Sequence, residues 1–269
     1  MVPLLIVLAV LVVAAYVALP LVIKASQKMA MRPEFYTLTP EQLPPSLSEY
    51  VYGTAAALRE HGFEPAAYLT MPNQVPNVRA YLILLMNREA GDKAMVTAMI
   101  GEQDGVPTSV TRYLEFSTRF SGGELFDTYN ARTLSSFPPG PKTLKTQVPS
   151  VEDPQALYRL HRWQMERSGV AGEKSMPEPG QEVAYLTRAM QEDYEQQVRN
   201  GILARDDAAG VYRPTLGGAY RMTWGLMFPF NLLRLRVLRR REQDLLAQFR
   251  RETAQETLAE RKRASDAGL

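Results

Sequence analysis

Cysteine is absent from the 269 residues, and with it go disulfides, thiolate zinc sites, iron–sulfur clusters and cysteine nucleophiles. The absence is neutral about redox compartment. Histidine is nearly absent: His61 and His161 are the two in the chain, far apart and without a ligand-spaced partner, so both read as structural and no metal is expected. Charge of one sign is not in excess either, since 31 Lys and Arg stand against 29 Asp and Glu. A net charge of +2 is no nucleic-acid footprint. Also missing are the G-x-S-x-G elbow, a phosphate loop ending in Gly-Lys-Ser/Thr and the G-x-G-x-x-G fingerprint. Ser121-Gly122-Gly123-Glu124 lies between two strand patterns and reads as a turn, and the acidic pairs Glu102/Asp104 and Asp206/Asp207 sit at turns, where Asp bonds its own backbone. No cofactor and no catalytic activity is expected.

The most informative feature present is an apolar run. From Val2 to Ile23 there is no charged side chain, and 22 residues at about 1.5 Å each would span roughly 33 Å, the thickness of a hydrocarbon core. The run is longer than a cleavable leader's apolar region and has no basic segment before it. Residues 1–23 are therefore expected to be a retained transmembrane anchor. Lys24, Lys28 and Arg32 follow the run, so the positive-inside rule puts the bulk of the chain in the cytoplasm of a single-pass cell-membrane protein.

A spacer over 24–45 carries Pro33, Pro40, Pro44 and Pro45. Ser46 and Glu49 spell a capping box opening a helix with Leu47, Tyr50, Val51, Thr54, Ala55 and Leu58 on one face and Gly62 as its left-handed stop. The period then changes from 3.6 to 2. Strands are expected at 66–71, 78–88, 93–102, 108–120 and 124–130, separated by Pro72-Asn73, Ala90-Gly91-Asp92, Asp104-Gly105 and Gly122-Gly123. An antiparallel meander with a helix on one face makes 46–133 an α+β domain. A Pro-rich linker over 134–152 leads to a helical region, 153–220, whose first helix is capped by Asp153-Pro154 and whose second carries Val183, Leu186, Met190, Tyr194 and Val198 as a stripe.

Ile202 to Gly218 reads as a short hairpin around Asp206–Gly210. Its spelling, from Asn200-Gly201-Ile202-Leu203 to Tyr212-Arg213-Pro214-Thr215, resembles the wing of winged-helix proteins, which would imply a membrane-tethered regulator. The preceding helix, however, carries Glu182, Glu192, Asp193 and Glu195 against Arg188 and Arg199, the wrong sign for a DNA groove. Nucleic acid is not the expected partner.

Met222 to Leu233 is apolar and aromatic but too short to span, and Arg221 precedes it while Arg234, Arg236, Arg239, Arg240 and Arg241 follow. Residues 221–241 suit a segment in the headgroup region, with Trp224, Phe228 and Phe230 inserted and the arginines facing anionic lipid. A buried core helix is the competing reading. The tail, 242–269, is a charged helix without sustained heptads.

The expected fold is thus α+β: an N-terminal transmembrane helix, an antiparallel β-meander covered by a helix, then a helical C-terminal region with a short hairpin. The expected function is that of a non-catalytic accessory, scaffold or assembly protein at the cytoplasmic membrane surface, with anionic lipid headgroups and a membrane protein as partners. The alternative is an apolar-ligand or lipid-binding module with a pocket lined by Tyr68, Tyr81, Tyr113 and Phe116.

Overall fold

A computed structural model describes residues 2–75, 78–103 and 106–266, with side chains described except at 2, 4–6, 8–9, 11, 72–75, 102–103, 106–107 and 256–266. The expected turn at Asp104-Gly105 lies outside the described residues.

The period-2 region forms the centre of the molecule. β3 (Glu64–Val75), β4 (Val78–Asn87), β5 (Asp92–Gln103), β6 (Val106–Arg119) and β7 (Leu125–Tyr129) make an antiparallel meander. Pro72-Asn73 is not the turn: β3 runs through it with a register shift and continues to Val75. Two short strands extend the sheet to seven in the order β2-β3-β4-β5-β6-β7-β8: β2 (Tyr36–Thr37) on one edge and β8 (Thr143–Gln147) on the other. β8 runs parallel to β7, so residues 130–142 return the chain to the same end of the sheet. The stretches expected as spacer and linker thus both contribute strands.

Alternation decides what each face of the sheet meets. Ile83, Leu85, Val96, Leu114 and Phe116 point to one side, where α2 (Pro45–Arg59) and α3 (Pro154–Ser168) cover them and build the main core. α2 buries Leu47, Val51, Thr54, Ala55 and Leu58, the face its spacing marks out. Its start differs from expectation, because Pro44 occupies the N-cap without a side-chain bond, and the capping box forms one turn earlier, at Thr39 and Gln42. Its end follows the Schellman pattern, with Phe63 N–H donating to Leu58 C=O at 3.2 Å across Gly62 at φ +80°. α3 is capped by Asp153, whose carboxylate accepts from Ala156 N–H at 2.9 Å, and stops at left-handed Gly169.

α4 (Glu182–Arg199) lies over the other side of the sheet, and its far end joins a second, smaller core of Tyr194, Ile202, Leu203, Tyr212 and Met222. The hairpin is present as β9 (Leu203–Asp206) and β10 (Val211–Pro214), and β1 (Met29–Ala30) adds a third strand against β10. α5 (Leu216–Trp224) begins at Thr215, which accepts from Gly218 N–H at 2.9 Å. A Cβ built on Gly218 would stand 1.9 Å from the Ile202 carbonyl oxygen, so only glycine allows this approach. α6 is a continuous helix from Phe230 to Asp266. It passes through the expected boundary at 241/242 and docks on α3: Trp163 and Phe249 rings meet at 5.4 Å, and Trp163 Nε1–H donates to Glu252 at 3.1 Å.

The leading segment requires a correction. Among the described residues no helix is long and apolar enough to cross a membrane, which overturns the transmembrane span and the single-pass and signal-anchor descriptions with it. α1 runs from Val2 to Ser26, but its side chains are described without interruption only from Val12 onward. α1 also lies along α5, where Trp224 Nε1–H donates to Tyr16 C=O at 2.9 Å and the two rings stand 6.3 Å apart. Without a span, Lys24, Lys28 and Arg32 no longer set an orientation.

Candidate functional site

The residues singled out for the membrane surface fall at one end of the molecule. Trp224 closes α5, Phe228 lies in the turn that follows, and Phe230 opens α6. They are not core: Phe228 is 70% exposed, Phe230 44% and Trp224 40%, with Leu226, Leu232, Leu233 and Val237 exposed beside them. α1 continues this surface with exposed Val10, Val13, Val17, Leu21 and Val22. Single exposed apolar side chains need no explanation, but this many on α1, on the α5 against which it packs and on the start of α6 do.

The arginines around it divide into two kinds. Arg221, Arg236, Arg239, Arg240 and Arg241 are exposed and have no ion-pair partner among the described residues. Arg234 is half-buried and acts as a brace, donating through Nη1 to Gly225 C=O at 3.1 Å and through Nη2 to Ser135 C=O at 2.7 Å. It ties the start of α6 to α5 and to the 134–142 loop.

A second constellation escapes sequence reading. On the sheet face under α4, in-register pairing sets Lys93 of β5, Ser117 of β6, Asp127 of β7 and Lys145 of β8 in one row across four strands. Facing side chains in such a row stand about 5 Å apart. Glu115 and Tyr129 form the adjacent row, and Tyr185, Glu192 and Asp193 of α4 close over both, leaving a cavity of about 600 Å³. Lys93 donates to Ser175 C=O at 3.0 Å and lies 5.2 Å from the Tyr185 ring centre, while Arg119 pairs with Glu192 at 2.8 Å.

Burial lowers the Lys93 ammonium to about 8, with Asp92 opposing. Burial and then the neighbouring Asp127 carboxylate push Glu115 up to about 7, and burial raises Asp127 and Asp193 as well. Desolvation works against the Lys145 ammonium, but Glu115 and Asp127 outweigh it and raise its pKa. One acid and one base that exchange protons near neutrality therefore line the same cavity. Among the described residues no group of three or more His, Asp or Glu could hold a metal ion.

The opposite face explains His161. Asp92, fully buried, accepts from Thr118 Oγ1 at 2.8 Å, Lys174 Nζ at 2.7 Å and Tyr158 OH at 2.7 Å. Burial alone would raise its pKa, and these bonds outweigh it and lower it. A carboxylate only accepts, so the Thr118 hydroxyl points its hydrogen at Asp92 and must accept from His161 Nε2–H at 3.0 Å. His161 Nδ1 then accepts from Thr128 Oγ1 at 3.0 Å, and Thr128 in turn accepts from Gln164 Nε2 at 3.1 Å. The imidazole is a neutral link in a buried chain. His61 packs its ring edge-on to Tyr158 at 5.3 Å.

The tyrosine pocket does not form. Tyr81 and Phe116 are buried in the core under α2 and α3, and Tyr113 is on the other face of β6. The wing-like hairpin keeps its charges internal, with Arg213 on Asp206 at 2.8 Å and Arg205 on Glu195 at 3.1 Å. α4 packs across the sheet, and its Glu182 pairs with Arg88. No family model, curated protein or solved structure matches the chain.

Proposed function

We propose that the protein is a non-catalytic accessory that rests on a lipid surface through the apolar end made by α1, α5 and the start of α6, and presents the α+β body to a protein partner there. The observation that carries this reading is the exposed apolar set bordered by unpaired arginines. Aromatic side chains at the acyl boundary with arginines among headgroups is the arrangement of an interfacial helix. The segment lies on a membrane in this reading and does not cross it.

The two tryptophans make the test direct. Trp163 is buried against α6, whereas Trp224 is 40% exposed. Mixed with vesicles, the full chain is expected to co-sediment and to show a blue-shifted emission that Trp224→Phe abolishes. Unaltered emission with all protein left in the supernatant would refute the reading. A second reading, a ligand-binding module, is favoured by the 600 Å³ cavity under α4, and its ligand would face Lys93, Ser117 and Asp127.

A further inference from the structure

A second cavity, about 680 Å³, opens between α6 and the 134–147 segment, next to the apolar end. Arg234, Leu238 and Arg241 line it from one face of α6, and Arg221 lines it from α5. Arg234 and Arg241 are two helical turns apart, about 10 Å along the axis. Arg234 is held rigidly by its two carbonyl acceptors, which leaves its remaining N–H groups free to donate. Arg221 and Arg241 have no partner among the described residues.

The acidic lining does not cancel this charge. Glu242 has Oε1 occupied by Ser150 N–H and Ser150 Oγ, both at 2.8 Å. Lys145, on the opposite wall, interacts with Glu115 and Asp127 of the neighbouring cavity. Three guanidinium groups and one carboxylate, Glu242, thus line the space, which leaves its lining with a net positive charge. Guanidinium forks match phosphate oxygens in pairs. Gly225 and Arg221 of the lining flank Trp224, and Phe228 is three residues further on, so an anion seated here would have apolar surface immediately beside it.

We propose that this cavity receives the phosphate of an anionic phospholipid headgroup, with Arg221, Arg234 and Arg241 as its ligands and the acyl chains leaving along the exposed face of α5 and α6. The inference rests on the lipid-surface reading above. A free phosphate ester would satisfy the arginines but would leave the adjoining apolar face unused.

The test is co-sedimentation of the full chain with phosphatidylcholine vesicles, with and without phosphatidylglycerol, alongside the doubles Arg221→Gln/Arg241→Gln and Arg236→Gln/Arg239→Gln. The second pair is equally exposed but outside the cavity. The expected result is tighter binding to the anionic vesicles and a loss of about 100-fold or more in the cavity double, which gives up charge-assisted hydrogen bonds to phosphate, against about 30-fold at most in the control double, which gives up surface attraction alone, with unchanged melting for both. Equal losses in the two doubles, or equal binding to both kinds of vesicle, would overturn the headgroup site while leaving the surface reading intact. No binding to any vesicle would overturn both. Glycerol 3-phosphate binding at the same arginines with no preference for anionic vesicles would identify a soluble ester as the ligand and overturn the lipid assignment.

Discussion

Protonation of one imidazole should work against the fold in acid. His161 is fully buried, and burial lowers its pKa to about 3, against about 6.5 in the unfolded chain. The folded state resists the proton that the unfolded state accepts. The stability that the neutral ring contributes is therefore complete above pH 6.5 and is lost as the pH falls toward 3. Between pH 7 and pH 5 the loss comes to about 2 kcal/mol at 1.36 kcal/mol per unit. His161→Gln tests this, because its amide can offer an N–H to Thr118 Oγ1 and does not titrate. The variant should be less stable than wild type at pH 7 by about 1–3 kcal/mol for the bond lost at Thr128. Urea unfolding of both proteins at pH 7 and pH 5 then gives the decisive quantity, the difference between their two acid losses. Groups common to both cancel in that difference, so wild type should lose about 2 kcal/mol more than the variant. Equal acid losses would refute the assignment of a neutral, sealed imidazole.

Gly218→Ala forces a methyl into the Ile202 carbonyl oxygen and should cost about 3 kcal/mol or more by displacing α5 from the hairpin; thermal unfolding within a degree of wild type would contradict that packing. Glu115 has the opposite sign to His161, since its pKa is raised from 4.5 to about 7 and its ionisation works against folding as the pH rises from the lower value to the higher. Glu115→Gln should therefore be more stable than wild type at pH 8, by about 1 kcal/mol after allowing for solvent screening at a half-buried site, with the gain shrinking as the pH falls from 7 toward 4.5. A gain independent of pH would show that Glu115 is not the titrating group.

Much of the framework was legible because local periodicity and burial agree in it. The stripe on α2, the Asp153 cap of α3 and the period-2 strands are each encoded within a dozen residues, and tertiary packing reinforces them. β1, β2 and β8 were not legible. They are two to five residues long, set among prolines, and owe their existence to a neighbour whose free edge they pair with. The apolar-basic segment was visible as composition, but sequence could not separate braced Arg234 from free Arg241, because the brace depends on Ser135, 99 residues away. The row from Lys93 to Lys145 draws one residue from each of four strands, and its register appears only once they pair. The alternation of Glu115 and Arg119 with Leu114 and Phe116 was the available signal, marking a second sheet face rich in charge. The leading run reads as a span by its apolar length and flanks, whereas in the structure Tyr16 and Trp224 join α1 to the folded body.

Helix α6 has a mechanical consequence. Its unbroken backbone links Phe230, on the apolar end, to Phe249, seated against Trp163, about 28 Å further along the axis. A stiff rod fixed at Glu242 and Glu252 has little freedom to pivot alone, so any tilt imposed at the Phe230 end must be carried by the whole sheet. Whatever the molecule sits upon would thereby set the angle at which its body is held out to a neighbour.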